Sequence, residues 1–212
     1  MVSIYTQMLK HRYGAQLDGD ADQYIQFAVG GAKRMQSLIG DLLSFAQVDQ
    51  ARPNRALMSA DEALDLALLA LKIPIAESGA RITRQPLPRV IGDKSQLALV
   101  FQNLIANSLK YCGDQVPEIR VAVEGTTQHW QISVRDNGIG FDQTYAERIF
   151  GVFKRLHTTA DYPGTGIGLS IAQKIVVRGG GRIWAESKSG AGATFFFTIP
   201  KVETSAYTAD VQ

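Results

Sequence analysis

Three polar and glycine-rich motifs stand in a fixed order in the second half of the chain: Asn103, Asn107, Lys110 and Tyr111 in the run QNLIANSLKY, then DNGIG at 136–140, then GTGIG at 164–168. Each is weak alone. In this order, separated by strand and loop material, they describe one composite site, and the chain must bring a helix, a strand end and a glycine loop around it.

The hydrophobic pattern supplies those elements. Asp93 is placed to cap the helix that carries the asparagines. Ile119, Val121 and Val123 alternate with polar or small residues, as do Trp130, Ile132 and Val134, which predicts two half-buried strands joined at Gly125. A helix over 168–178 and strands near 182–187 and 194–199 complete an α+β sandwich. Short strands are expected at 81–83 and 89–91, and Ser59 with Glu62 forms a capping box before a helix reaching about residue 77, with Pro74 expected to kink or end it early.

The first quarter reads differently. Ile25, Val29, Ala32, Met35, Ile39, Leu42, Phe45 and Val48 recur at steps of three or four and put one stripe on a long helix over 20–48, capped by Asp18 or Asp20. Val2, Tyr5, Met8 and Leu9 suggest a shorter helix ending near Gly14, so residues 1–48 read as an antiparallel helical hairpin. Two helices cannot hide both stripes, and the hairpin either pairs with one from a second chain or packs on its own domain. Residues 49–56 are the expected linker, 57–200 the main domain and 201–212 a polar tail.

Asn103, Asn107 and Lys110 lie at i, i+4 and i+7 and share one helix face, beside an apolar stripe of Leu97, Phe101, Leu104 and Ile105. Carboxamide oxygens are hard ligands suited to magnesium, and a lysine supplies a cation for phosphates. A solvated helix face would look the same. Asp136 continues the inward register of Trp130, Ile132 and Val134, which delivers a carboxylate to the buried side of a strand. Such a group needs hydrogen-bond donors, and an adenine amino group is one, with Gly138 and Gly140 letting backbone approach a flat base. An aspartate leaving a strand at a turn is the alternative. Gly164, Thr165, Gly166, Gly168 and Leu169 run from a loop into a helix, whose N-terminal amides suit phosphate. Residues 141–163 are long and polar enough for a lid, with Phe150 and Phe153 as apolar anchors and Lys154 or Arg155 reaching phosphate.

Composition narrows the classes. A net charge of +2 over 212 residues leaves no electrostatic footprint for nucleic acid or an anionic membrane. Cys112 is the single cysteine, so no disulfide framework exists and a reducing cytoplasm is the expected compartment. The apolar stretch 63–76 is interrupted by Asp65, Lys72 and Pro74 and is too short to cross a bilayer. No basic n-region opens the chain, and a soluble segment is expected, of a protein that is itself soluble or membrane-anchored.

The set NxxxNxxKY, DNGIGF, FKRLH and GTGIGLS resembles, in order, the N box, first glycine box, F box and second glycine box of sensor histidine kinases, and MLKHRY with DLLSFAQVD resembles the bacteriophytochrome type. The resemblance implies a Bergerat-type (GHKL) ATP-binding domain using ATP and Mg2+, a homodimer through the hairpin, and a response regulator receiver domain as partner. It implies that Asn107 ligates magnesium, Asn103 supports it, Lys110 meets the phosphates, Tyr111 lines the adenine site and Asp136 binds the adenine amino group.

Two departures from that family stand out. The family's acceptor histidine is followed by an acidic residue, whereas His11, His129 and His157 precede Arg12, Trp130 and Thr158. The expectation is a kinase core whose acceptor imidazole lies elsewhere. A further basic lid residue is absent from Thr158, Thr159 and Ala160. Hydrolytic relatives such as gyrase and Hsp90 carry a glutamate base where this chain has Asn103, and a neutral carboxamide cannot serve as one. A nucleotide-binding, dimerising module without turnover is the rival reading. A serine-directed kinase of the anti-sigma type lacks this kind of hairpin.

Overall fold

The computed structural model describes residues 8, 13, 19–50, 55–156, 162 and 164–201. The shorter helix expected at the start of the hairpin, residues 51–54 of the linker and the tail beyond 201 lie outside the described residues. The first described helix, α1 (Gly19–Gln50), continues two residues past the expected hairpin end. Strand β1 (Ala56–Ser59), which the alternation did not reveal in so short a run, starts on the last residue of the expected linker.

Ser59 Oγ accepts the Glu62 N–H at 3.4 Å and starts α2 (Ala60–Ala70). The helix expected to reach about residue 77, with Pro74 kinking it or ending it early, is interrupted ahead of that proline. The break falls at Leu71, and α3 (Lys72–Ser78) follows. Pro74 is therefore its third residue, where the first-turn N–H would lack an intrahelical partner, so the ring is tolerated. Gly79 ends α3 in the left-handed region at φ 64°.

After β2 (Arg81–Arg84) and β3 (Arg89–Gly92), Asp93 Oδ1 accepts from Ser95 N at 2.9 Å and Gln96 N at 3.1 Å, fixing the start of α4 (Lys94–Lys110). The remaining elements are β4 (Glu118–Gly125), β5 (His129–Asp136), α5 (Gly168–Arg178), β6 (Ile183–Ser187) and β7 (Ala193–Pro200). The five-stranded sheet has the order β2-β4-β5-β7-β6, parallel only between β2 and β4, while β1 and β3 form a small antiparallel ribbon.

Helices α4 and α5 bury their apolar stripes against the sheet, and α2 packs beside α4 in the same core. Leu64, Phe101, Leu104 and Ile105 share one core with Ile119, Val121, Ile132, Val134 and Phe197, all nearly inaccessible, with the Phe101 and Phe197 rings edge to face at 5.6 Å. Each such side chain contributes about 1.5–3 kcal/mol by leaving water. The register Val121↔Val134↔Phe195 places the inward row beneath α4. Asp136 lies at the end of that row, opposite Ile119.

Helix α1 divides its apolar residues between two directions. Val48 is buried, and Leu38 and Phe45 pack against the main core. Met35, Ile39, Leu42 and Leu43 point outward, more than half exposed, as do Tyr24 and Phe27. The expected single stripe thus separates: Phe45 and Val48 at its C-terminal end pack on the chain's own domain, Met35, Ile39 and Leu42 are exposed, and Ile25, Val29 and Ala32 are partly covered.

Candidate functional site

Asp136 is 8% exposed. Its Oδ1 accepts the N–H groups of Gly138 and Ala193, both at 3.0 Å, and its Oδ2 accepts from Ser108 Oγ at 3.1 Å. Burial pushes its pKa above the ordinary 3.8, and the bonds from Gly138, Ala193 and Ser108 pull it back down. Ser108 and Ala193 were not anticipated. Their one sequence signal is a hydroxyl on the apolar face of α4, where it needs a partner.

The cleft over Asp136 has an apolar half lined by Ala106, Ile139, Phe141, Ile149 and Phe195, which the motif reading missed. Its polar half brings together Asn103, Asn107, Lys110, Tyr111, Gly140, Arg155, Gly164, Thr165, Gly166, Gly168 and Leu169. Gly138 is not in the lining. A Cβ there would meet the Tyr111 carbonyl oxygen at 2.3 Å, and one on Gly140 would meet that of Lys188 at 2.2 Å. Close backbone packing at the strand end leaves no room for a side chain at either position, and Gly140 also lines the cleft.

On α4, Asn103 Nδ2 donates to the Leu99 carbonyl at 2.9 Å, which turns Oδ1 toward the start of α5. A Cβ on Gly168 would lie 2.6 Å from that oxygen, and one on Gly164 would lie 2.7 Å from Lys110 Nζ. The glycine loop is therefore seated directly on the polar face of α4. Lys110 Nζ also donates to Tyr111 Oη at 2.9 Å.

The lid residues depart from expectation in two places. Phe150 is buried and belongs to a short 3-10 turn, Arg148–Phe150, as an anchor should. Phe153 is 58% exposed, with a left-handed φ of 61°. Arg155 lines the cleft but donates to the carbonyls of Gly164 at 3.0 Å and Tyr162 at 2.6 Å, so it also ties the lid to the loop. Lys154 and Leu156 lie beside it.

Chemically, one half of the cleft offers flat apolar walls around a carboxylate acceptor. The other offers two carboxamides, a lysine and a helix N-terminus. No group of three or more His, Cys, Asp or Glu able to hold a metal occurs among the described residues. A cation here would depend on carboxamide oxygens plus ligands brought by a bound phosphate, which suits magnesium. No helix among the described residues is long and apolar enough to cross a membrane.

Residues 92–203 match the family described as histidine kinase-, DNA gyrase B-, and HSP90-like ATPase. The chain is 49% identical over 199 residues to cyanobacterial phytochrome A of Nostoc sp., covering 94% of this chain and 26% of that protein. It thus spans about a quarter of that relative's length. The structure of ShkA in complex with AMPPNP superposes with a TM-score of 0.68 at 23% identity, over 94% of this chain and 42% of that one. That of histidine kinase ThkA in complex with response regulator protein TrrA gives 0.68 at 23%, over 93% and 57%.

Proposed function

The chain belongs to the family of histidine kinase-, DNA gyrase B- and HSP90-like ATPases, and we propose that it is the phosphoryl-transferring core of a phytochrome-type sensor histidine kinase in a two-component system. Its fold is the Bergerat-type (GHKL) α/β sandwich expected from the sequence. The observation that carries the proposal is Asp136: a carboxylate buried at an apolar cleft, one helix face away from Asn103, Asn107 and Lys110.

Bound Mg-ATP supplies the γ-phosphoryl group, with the cation offsetting its charge. In this reading Asp136 accepts the exocyclic amino group of adenine, and Tyr111, Ile139 and Phe141 flank the base. Asn107 is the protein's ligand to Mg2+, and Asn103 holds the approach of α5 to it. Lys110 and Arg155 face the phosphates, together with the amides of the loop carrying Gly164, Thr165, Gly166, Gly168 and Leu169. Positioning and charge stabilisation carry phosphoryl transfer, so the chain needs no nucleophile of its own. Asn103 cannot deprotonate water, which disfavours hydrolysis. None of His11, His129 and His157 precedes an acidic residue, so the acceptor imidazole is supplied by another segment or chain.

The same proposal assigns 1–48 to a dimerisation hairpin, 49–56 to a linker and 57–200 to the catalytic domain, acting in the cytoplasm on a response regulator receiver domain. The outward apolar residues of α1 support a homodimer. Titration of Mg-ATP against the wild-type chain and Asp136→Ala is the test. Wild-type binding lost in the variant is expected, and failure of the wild type to bind would sink the proposal.

A further inference from the structure

Asp41 lies on α1, far in sequence from the motifs that line the cleft, yet its side chain is among the lining groups. Its Oδ2 accepts the hydroxyl of Thr165, the threonine of the glycine loop, at 2.5 Å. The helix is held there from a second point. Lys174 of α5 donates from Nζ to the Phe45 carbonyl at 2.9 Å and lies 3.8 Å from the centre of the Phe45 ring. Asp41 and Phe45 are one helical turn apart and face the same way.

We infer that Asp41 is a stop carried by the hairpin helix: docked on Thr165, its carboxylate holds the phosphate half of the cleft against nucleotide, and the helix must withdraw for phosphates to enter. The inference rests on the nucleotide reading of the cleft and adds a means of regulating it. The polar half gathers Lys110, Lys154 and Arg155 with the loop amides. A carboxylate introduced there uses up positive potential that phosphates would otherwise meet, occupies the hydroxyl of Thr165 and repels an incoming anion. Because Asp41 belongs to α1 rather than to the sandwich, any rotation or translation of α1 changes all three effects together. A signal that moves the hairpin is thereby converted into nucleotide affinity with no change in the catalytic domain itself.

The test is isothermal titration of Mg-AMPPNP, a non-hydrolysable ATP analogue, into the full chain, Asp41→Asn and Lys174→Ala, with Asp136→Ala as the control for binding in the cleft. Asp41→Asn keeps the shape and still accepts from Thr165 through its carbonyl, but removes the charge. Lys174→Ala releases α1 from a point outside the cleft lining. Asp41→Asn should tighten binding about fivefold, the size of one unit charge acting across about 4 Å at the dielectric of bulk water. Lys174→Ala should act in the same direction. The gap between wild type and Asp41→Asn should narrow in about 1 M salt. Unchanged or weaker binding by either variant, with the wild type binding and Asp136→Ala not, would overturn the inference alone. No binding by any of the chains would remove the nucleotide reading along with it.

Discussion

Asp136 works against its own ionisation. Burial raises its pKa in the folded chain above the ordinary 3.8, and the bonds from Gly138, Ala193 and Ser108 offset only part of that. Stability from this group is therefore fully present below its unfolded pKa and is lost as pH rises through the folded value. Asp136→Asn has no such loss. Its carbonyl can keep both backbone donors while its amide donates to Ser108 Oγ, whose hydroxyl also reaches the Leu104 carbonyl at 3.2 Å. Without nucleotide, Asp136→Asn should melt above wild type at pH 7, with the difference shrinking toward pH 3. A wild type more stable than the variant at pH 7 would contradict this. Nucleotide binding should fall about 10- to 100-fold in Asp136→Asn, the loss of one hydrogen bond to a charged acceptor. Gly140→Ala places a Cβ 2.2 Å from the Lys188 carbonyl at a φ of 60°. It should destabilise the fold by roughly 1–3 kcal/mol or more in urea melts. The inward placement of Asp136 was legible because a strand alternates with period two, and Ile132 and Val134 fix its phase. Ser108 and Ala193 were not, because the fold brings them from segments 28 and 57 residues away.

Among the elements, the strong periodicities were legible and the compromises were not. The caps at Ser59 and Asp93 and the helix at Gly168–Arg178 follow from local chemistry, which the sequence states directly. Pro74 signalled an interruption, but its place at Leu71 was not legible, because the apolar pattern continues across it while the backbone puts Pro74 in a first turn. Pro74→Ala should accordingly change stability by no more than about 0.5 kcal/mol, whereas a mid-helix proline would cost about 3. Equilibrium unfolding distinguishes the two. For α1, the heptad-like stripe gave the helix but not the division of its faces, since which apolar residues meet the domain depends on where α5 lies. If the outward face mates with a second chain, Ile39→Glu with Leu42→Glu should shift sedimentation toward monomer while Asp136, outside that face, still supports nucleotide binding. Unaltered self-association in the double variant would remove the dimer from this face.

At the scale of the molecule, one core serves the whole sandwich, and the cleft sits where that core meets its polar edge. Leu64, fully buried on α2, is not among the residues that line the cleft. Leu64→Ala should cost about 2–5 kcal/mol of stability yet leave nucleotide affinity of the folded fraction intact. The α+β class and most strands were legible from alternation. The strand at β3 was expected, but β1, the pairing of the two into a ribbon and the seating of α1 on α5 depend on contacts between distant segments and left no local trace. The central claim is that this cleft transfers phosphate to an imidazole rather than to water, and the measurement that bears on it most directly is label transfer from γ-labelled Mg-ATP. The chain would be mixed with a separate hairpin carrying a histidine followed by an acidic residue. Acid-labile label on that hairpin, absent with Asn107→Ala, is the expected result. Nucleotide bound without label, or released as inorganic phosphate with the hairpin left unlabelled, would contradict it.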